Sequence, residues 1–397
     1  MIQAEAMRDA VTAIALADAS LHAWAFLDER ATETVHPGEP LANVAFGVKD
    51  IIDVRGMPTR FGIAIDVPPG PGRCLVRRGV ASCGRRSHWK DGDDRFRLAR
   101  SRTDIAPPRR ERDARRLERG QCGGGGRGPR RLRARDADDR FDVAIGGLLR
   151  RGRVQAHVRR RPGVRCVAAC AIGRSHRSGA RDVATASAFA RVFGIDTRTL
   201  DAPPRLAFVA DAFADGIGED VRRALEACVR RCRQAGARLD VIELPSPFFQ
   251  AFALLEPLIA SEAYAVHEPW LDADLPPAFA ALLRRGESEP AGARTRALAF
   301  RNRTRTAIAA ALEPFDAVLL AVADTAPDRV STGDSRPQAP ATFYGLPAIS
   351  IPTGRSERGL PMGVQILARA GEDASVLAVA DWIERTLARS GDLPRPG

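Results

Sequence analysis

The middle of this chain limits its possible folds more than any other part. Between Arg73 and Ala180, 30 Arg and 1 Lys stand against 11 acidic residues, a net charge of +20. Arg doublets and triplets break almost every apolar run there, so neither a strand period of 2 nor a helix period of 3.6 persists. A buried layer cannot take that many guanidinium groups unpaired. A regular core must therefore be built from the flanks. The chain as a whole carries +12, so the remainder carries −8, the difference between +12 and +20. Outside the window this is an ordinary acidic protein, and the basic excess does not define the whole chain as a nucleic-acid binder.

The flanks read regularly. Residues 1–30 show helical spacing of apolar side chains at Val11, Ile14, Ala15, Leu21, Trp24 and Ala25. VAFG (44–47) is a short apolar strand entering a loop that holds Lys49, Asp50 and Asp53. From 181 onward, RDVATASAFARVFG and IGEDVRRALEACVRRCRQAG predict helices, with further helices at 247–267, 294–313 and 373–389. RLAFVAD (205–211), RLDVIELP (238–245), DAVLLAVA (316–323), GLPAISIPTG (345–354) and GLPMGVQILA (359–368) predict strands. Strands alternating with helices predict an α/β fold.

Several function classes are set aside on the residues. No apolar run approaches the ~20 residues of a bilayer helix. The N-terminus lacks the basic region and cleavage site of a signal peptide, so a cytoplasmic chain is expected. Five of seven cysteines, Cys74, Cys83, Cys122, Cys166 and Cys170, lie in the Arg-rich window, and Cys228 and Cys232 sit one helical turn apart. Without CxxC pairs, neither a disulfide framework nor a zinc site is expected. HWKDGDDR (88–95) and RDADDRFD (135–142) lack the calcium-loop order with its closing Glu, so no metal and no cofactor is expected. RRLERGQCGGGG (115–126) lacks the Lys-Ser/Thr ending of a phosphate loop. The Arg runs come without any nucleic-acid-binding motif, so only non-specific phosphate contact is expected of them.

GVKD (47–50) followed by GMPTRFG (56–62), then FYGLPAISIPTG (343–354) and GLPMGVQILA (359–368), resemble the amidase signature family. The resemblance spans the flanks, about 290 residues. It implies a single α/β/α domain with a mixed central sheet, acting on a small-molecule amide through a Ser–cis-Ser–Lys triad. It also implies that Lys49 is the base of that triad. The residues alone leave a second role open for Lys49, a surface lysine paired with Asp50 or Asp53.

The family's serine- and glycine-rich signature belongs between these flanks and is absent as written. Read one base later, the codons of the window permit it. Those from Asp113 to Gly128 permit a run containing Gly-Gly-Ser-Ser-Gly-Gly-Ser, and those from Arg135 to Phe141 permit Gly-Thr-Gln-Thr-Thr-Gly-Ser. Those from Arg150 to Arg159 permit Gly-Val-Val-Gly-Phe-Lys-Pro-Thr-Phe-Gly, and those from Val80 to Asp91 permit the approach to the sheet. Four motifs fall in order in one frame, so the window reads as about 108 residues translated out of frame. The chain then divides into an N-terminal part of the amidase domain (1–72), an anomalous segment (73–180) whose packing is expected to be disrupted, and a C-terminal part (181–397). The relay serine would overlap Leu117 and Glu118, and the nucleophile Phe141 and Asp142. None of these four side chains can perform those steps, so an inactive chain is expected.

Overall fold

The computed structural model describes residues 182–210, 217–273, 277–322, 336–355 and 361–389. It also gives the backbone of short strands at 24–26, 45–49, 100–101, 131–135, 152–155 and 177–180, and the isolated residues Thr12, Leu16 and Leu275. The expectation of disrupted packing in 73–180 falls outside the described residues, apart from four short strands.

Those strands join a mixed eleven-strand sheet. In chain order the strands are β1 (Trp24–Phe26), β2 (Ala45–Lys49), β3 (Arg100–Ser101), β4 (Arg131–Arg135), β5 (Gly152–Gln155) and β6 (Arg177–Ala180). They continue as β7 (Arg205–Phe208), β8 (Arg238–Val241), β9 (Ala317–Ala321), β10 (Ala348–Arg355) and β11 (Pro361–Leu367). The spatial order is β1-β3-β2-β4-β6-β5-β10-β11-β9-β7-β8. β7 runs parallel to both β8 and β9, whereas β11 is antiparallel to both β9 and β10.

Among the described residues, seven α-helices accompany it: α1 (Val183–Val192), α2 (Glu219–Gln234), α3 (Ser246–His267), α4 (Pro277–Ser288), α5 (Ala293–Leu312), α6 (Ala339–Tyr344) and α7 (Asp373–Arg389). α2 shows why the sequence folds this way. Val221, Leu225, Cys228, Val229 and Cys232 fall on one helical face and are buried. Glu219 and Asp220 open the helix and Arg231 and Arg233 close it, matching the macrodipole at both ends. Gly236 then turns the chain at φ 95°, a conformation that a side chain disfavours.

Two apolar layers sandwich the sheet. On one side α1, α2 and α7 bury Phe189, Leu225 and Ile383 against Leu319, Ile349 and Ile366. On the other, α3, α5 and α6 bury Phe248, Ile308 and Phe343 against Val318, Ala348 and Leu367. The parity of the strands sorts residues between the layers: in β9, Leu319 faces one and Val318 and Leu320 the other. Because both faces are covered, AVLLA reads as a continuous apolar run and every position is buried. This is the α/β/α sandwich with a mixed sheet that the resemblance implies.

Five local expectations change. Trp24–Phe26 is a strand antiparallel to β3 rather than a continuation of the N-terminal helix. Two aromatics in three residues favour a pleated, half-covered position over a helix. Lys49 is the last residue of β2, not part of the loop beyond it. α4 and α6 were not anticipated at all. RLRAR in β4 alternates over only five residues, too short a run to stand out among the arginines.

Candidate active site

The register fixes where Lys49 stands. Val48 pairs with Ala134, Ala134 with Ser178, Ser178 with Val154, and Val154 with Ile349. One continuous row therefore links β2, through β4, β6 and β5, to β10 in the C-terminal half. Lys49 lies one position beyond that row, at the C-terminal end of β2. β4 is parallel to β2, so both strands end at the same edge of the sheet. β4 ends at Arg135, six residues before Phe141 and seven before Asp142, at the edge where Lys49 stands. Carboxyl ends of adjacent parallel strands are where open α/β sheets place their sites. Leu117, Glu118, Phe141 and Asp142 themselves lie outside the described residues.

The same register sets several basic residues at positions of one parity. Arg131, Arg133 and Arg135 occupy alternate positions of β4. Arg133 is level with Gly179 and through it with Arg153, while Arg135 is level with Arg177. Lys49 shares the parity of this set, one step past the Val48–Ala134 pair.

Sequence reading missed a buried polar group on β10, β11 and the approach to α6. Ser350 and Gln365 are directly opposed across β10 and β11, and both are fully buried. Gln365 donates through Nε2 to the Pro337 carbonyl at 3.0 Å, and Gln338 donates to the Val322 carbonyl. These bonds hold the entry to α6 against the sheet. Ser350 Oγ and the Oε1 atoms of Gln338 and Gln365 have no hydrogen-bond partner among the described residues. The signal was available in ISIPTG and GVQIL, where a lone polar residue interrupts an apolar strand.

Other titratable groups serve packing. Cys228 is raised well above the usual thiol value by its hydrogen bond to Cys232 and by burial, so it stays a neutral thiol. The His267 imidazole is held below its usual value by burial, between Trp270 at 5.2 Å and Phe279 at 5.3 Å. Burial raises the Tyr344 hydroxyl, opposed by its bond to Thr304 at 3.0 Å; it also donates to the Pro247 carbonyl at 2.9 Å. Among the described residues no group of three or more His, Cys, Asp or Glu could hold a metal ion. Nor is any described helix long and apolar enough to cross a membrane.

With this fold and strand-edge site in place, comparison with known proteins gives the class. The Amidase family profile matches residues 164–377, more than half of the chain, and the chain belongs to that family. The matched span includes the motifs at 343–354 and 359–368, whereas GVKD at 47–50 lies outside it. A putative amidase of Synechocystis is 37% identical over 98 residues, 21% of this chain and 19% of that protein. A fatty acid amide hydrolase of Medicago truncatula is 42% identical over 55 residues, 14% of this chain and 9% of that protein. The matches thus span a fifth or less of these relatives. Among solved structures, an amidase superposes with a TM-score of 0.76 at 21% identity, covering 96% of each chain. A bacterial aryl acylamidase of the amidase signature family superposes at 0.75 and 15% identity, covering 97% of this chain and 93% of that one.

Proposed function

We propose that this chain descends from a cytoplasmic hydrolase converting linear carboxamides to carboxylates plus ammonia or amine, and that as written it is inactive. Membership of the Amidase family carries the first half of the reading. The residues at the expected serine positions, Leu117, Glu118, Phe141 and Asp142, carry the second.

In this reading a serine hydroxyl attacks the amide carbonyl while its proton passes through a second serine to Lys49; a proton then returns through that serine to the amine as the C–N bond breaks, and water hydrolyses the acyl-serine to the carboxylate. A lysine does this only when neighbouring cations or burial lower its pKa. The position of Lys49 at the strand edge, in register with the Arg-bearing positions of β4 and β6, is compatible with that requirement. Without nucleophile, relay and the backbone donors that would follow the Thr-Thr-Gly turn, no residual catalysis is left to Lys49 alone. The segment 73–180 is then one out-of-frame block within a single domain formed by 1–72 and 181–397.

A fluorophosphonate probe, which phosphonylates activated serines, tests this reading. The chain as written stays unlabelled, and a version with the frame restored across the window is labelled. Stoichiometric labelling of the chain as written overturns the reading.

A second reading, non-specific binding of nucleic acid by the Arg-rich segment, is favoured by one observation. The register places Arg131, Arg133, Arg135, Arg153 and Arg177 at positions of one parity across three neighbouring strands. Such binding weakens steeply with salt. An affinity unchanged from low to high salt argues against it.

A further inference from the structure

We propose that Glu384 is a proton-dependent latch that holds α7 against the beginning of α1. The first turn of any helix has backbone N–H groups without partners inside the helix. In α1 they are shared between two carboxylates. Asp182, the N-cap, accepts from the Thr185 N–H at 2.7 Å. Glu384, 201 residues away on α7, accepts from the Val183 N–H with both oxygens, at 3.1 and 3.3 Å. Val183 is fully buried, so this bond is made at the seam between two helices that share one apolar layer with the sheet.

The surroundings oppose a charge on Glu384. From α1 it faces Asp182, and one turn back on α7 it faces Asp381. The nearby Arg385 is bonded to Asp381, at 3.0 Å through Nε. Among the described residues, the other elements packed on α7 contribute neutral groups to this layer: Leu225, Cys228, Val229 and Cys232 from α2, Leu319 from β9, and Ile349, Ile351, Val364 and Ile366 from β10 and β11. Burial, and after it the two aspartates, raise the Glu384 carboxyl to about 7, against 4.5 unperturbed, although the Val183 bond works in the opposite direction.

The sign follows from linkage. A carboxyl whose folded value lies above its unfolded value makes the folded state bind the proton more tightly. Its contribution is complete below 4.5, declines as pH rises, and is lost above about 7. Across that window the folding equilibrium weakens by roughly two orders of magnitude, the ratio of the two proton affinities. Neutral Glu384 keeps an acceptor for Val183 without a buried charge, while the ionised form sets a second carboxylate beside Asp182 at the start of α1.

Glu384→Gln retains the acceptor and cannot ionise. Denaturant unfolding of the full chain and of this variant, measured from pH 5 to pH 8, separates the possibilities. The two midpoints are expected to lie together near pH 5 and to diverge toward pH 8, with E384Q the more stable. Amide hydrogen exchange of the α1 start, corrected for intrinsic rates, should lose protection over the same range in the parent only. Asp182→Asn removes one neighbouring charge and should move the parent's transition to lower pH. Parallel pH profiles for the parent and E384Q overturn the latch. An E384Q midpoint below the parent's at pH 8 does so as well, because the ionised carboxylate would then be the stabilising form.

Discussion

Gly286 shows how little freedom a single position can have. It sits on α4 where that helix crosses α3, and a Cβ placed there would lie 2.0 Å from the Ala260 carbonyl oxygen and 2.7 Å from Tyr264 Cβ. The obstacle is backbone, so no side-chain rotation relieves it. Gly286→Ala is therefore expected to force the helices apart and cost about 1–3 kcal/mol, although alanine favours an isolated helix over glycine. Equilibrium denaturation measures this, and a neutral or stabilising alanine would show that α3 and α4 do not pack this closely. The Arg294–Glu262 pair, at 2.9 Å, joins α5 to a different face of α3 through a carboxylate that is only 7% exposed. The contact is partly shielded, unlike the exposed pairs along α2. His267 completes this region as a neutral imidazole among aromatic rings, its Nδ1 without a partner among the described residues.

The C-terminal elements were legible in the sequence to the extent that their apolar period was long. α2 and α7 follow from spacing alone, and β9 from an unbroken apolar run. α4 was hidden because its apolar stripe is narrow, with Leu283 and Gly286 its buried positions, and because a glycine discouraged a helix there. α6 was hidden for the opposite reason: all six of its residues are buried, so it has no amphipathic period. The polar group beneath it depends on tertiary placement. Gln365 and Ser350 are opposed only through strand register, and the Pro337 carbonyl meets Gln365 only because the chain returns over the sheet. This gives a prediction at the level of the β10–β11 pair. Ser350→Ala removes a buried hydroxyl that has no described partner, and should leave stability unchanged or raise it by about 1 kcal/mol. A loss of that size in thermal unfolding would instead assign the hydroxyl a structural bond.

In the whole molecule, the two flanks belong to one sheet. β2 carries Lys49, β10 and β11 carry the C-terminal motifs, and the strands that connect them in space come from the window read as out of frame. On the proposed reading, that arrangement keeps the family's framework while its chemistry is lost. The framework is set by apolar periodicity in residues 182–389, whereas the proposed loss of the serines concerns individual codons in the window. Lys49, proposed as the base, stands out in the sequence through the GVKD motif, whereas its place at the end of β2 follows only from strand pairing. The serines were legible only through the neighbouring frame. Hydrolysis of a panel of simple carboxamides, with release of ammonia or amine followed over hours, tests the account most directly. The chain as written is predicted to show no turnover above that of its Lys49→Ala variant, and turnover that Lys49→Ala abolishes would contradict it.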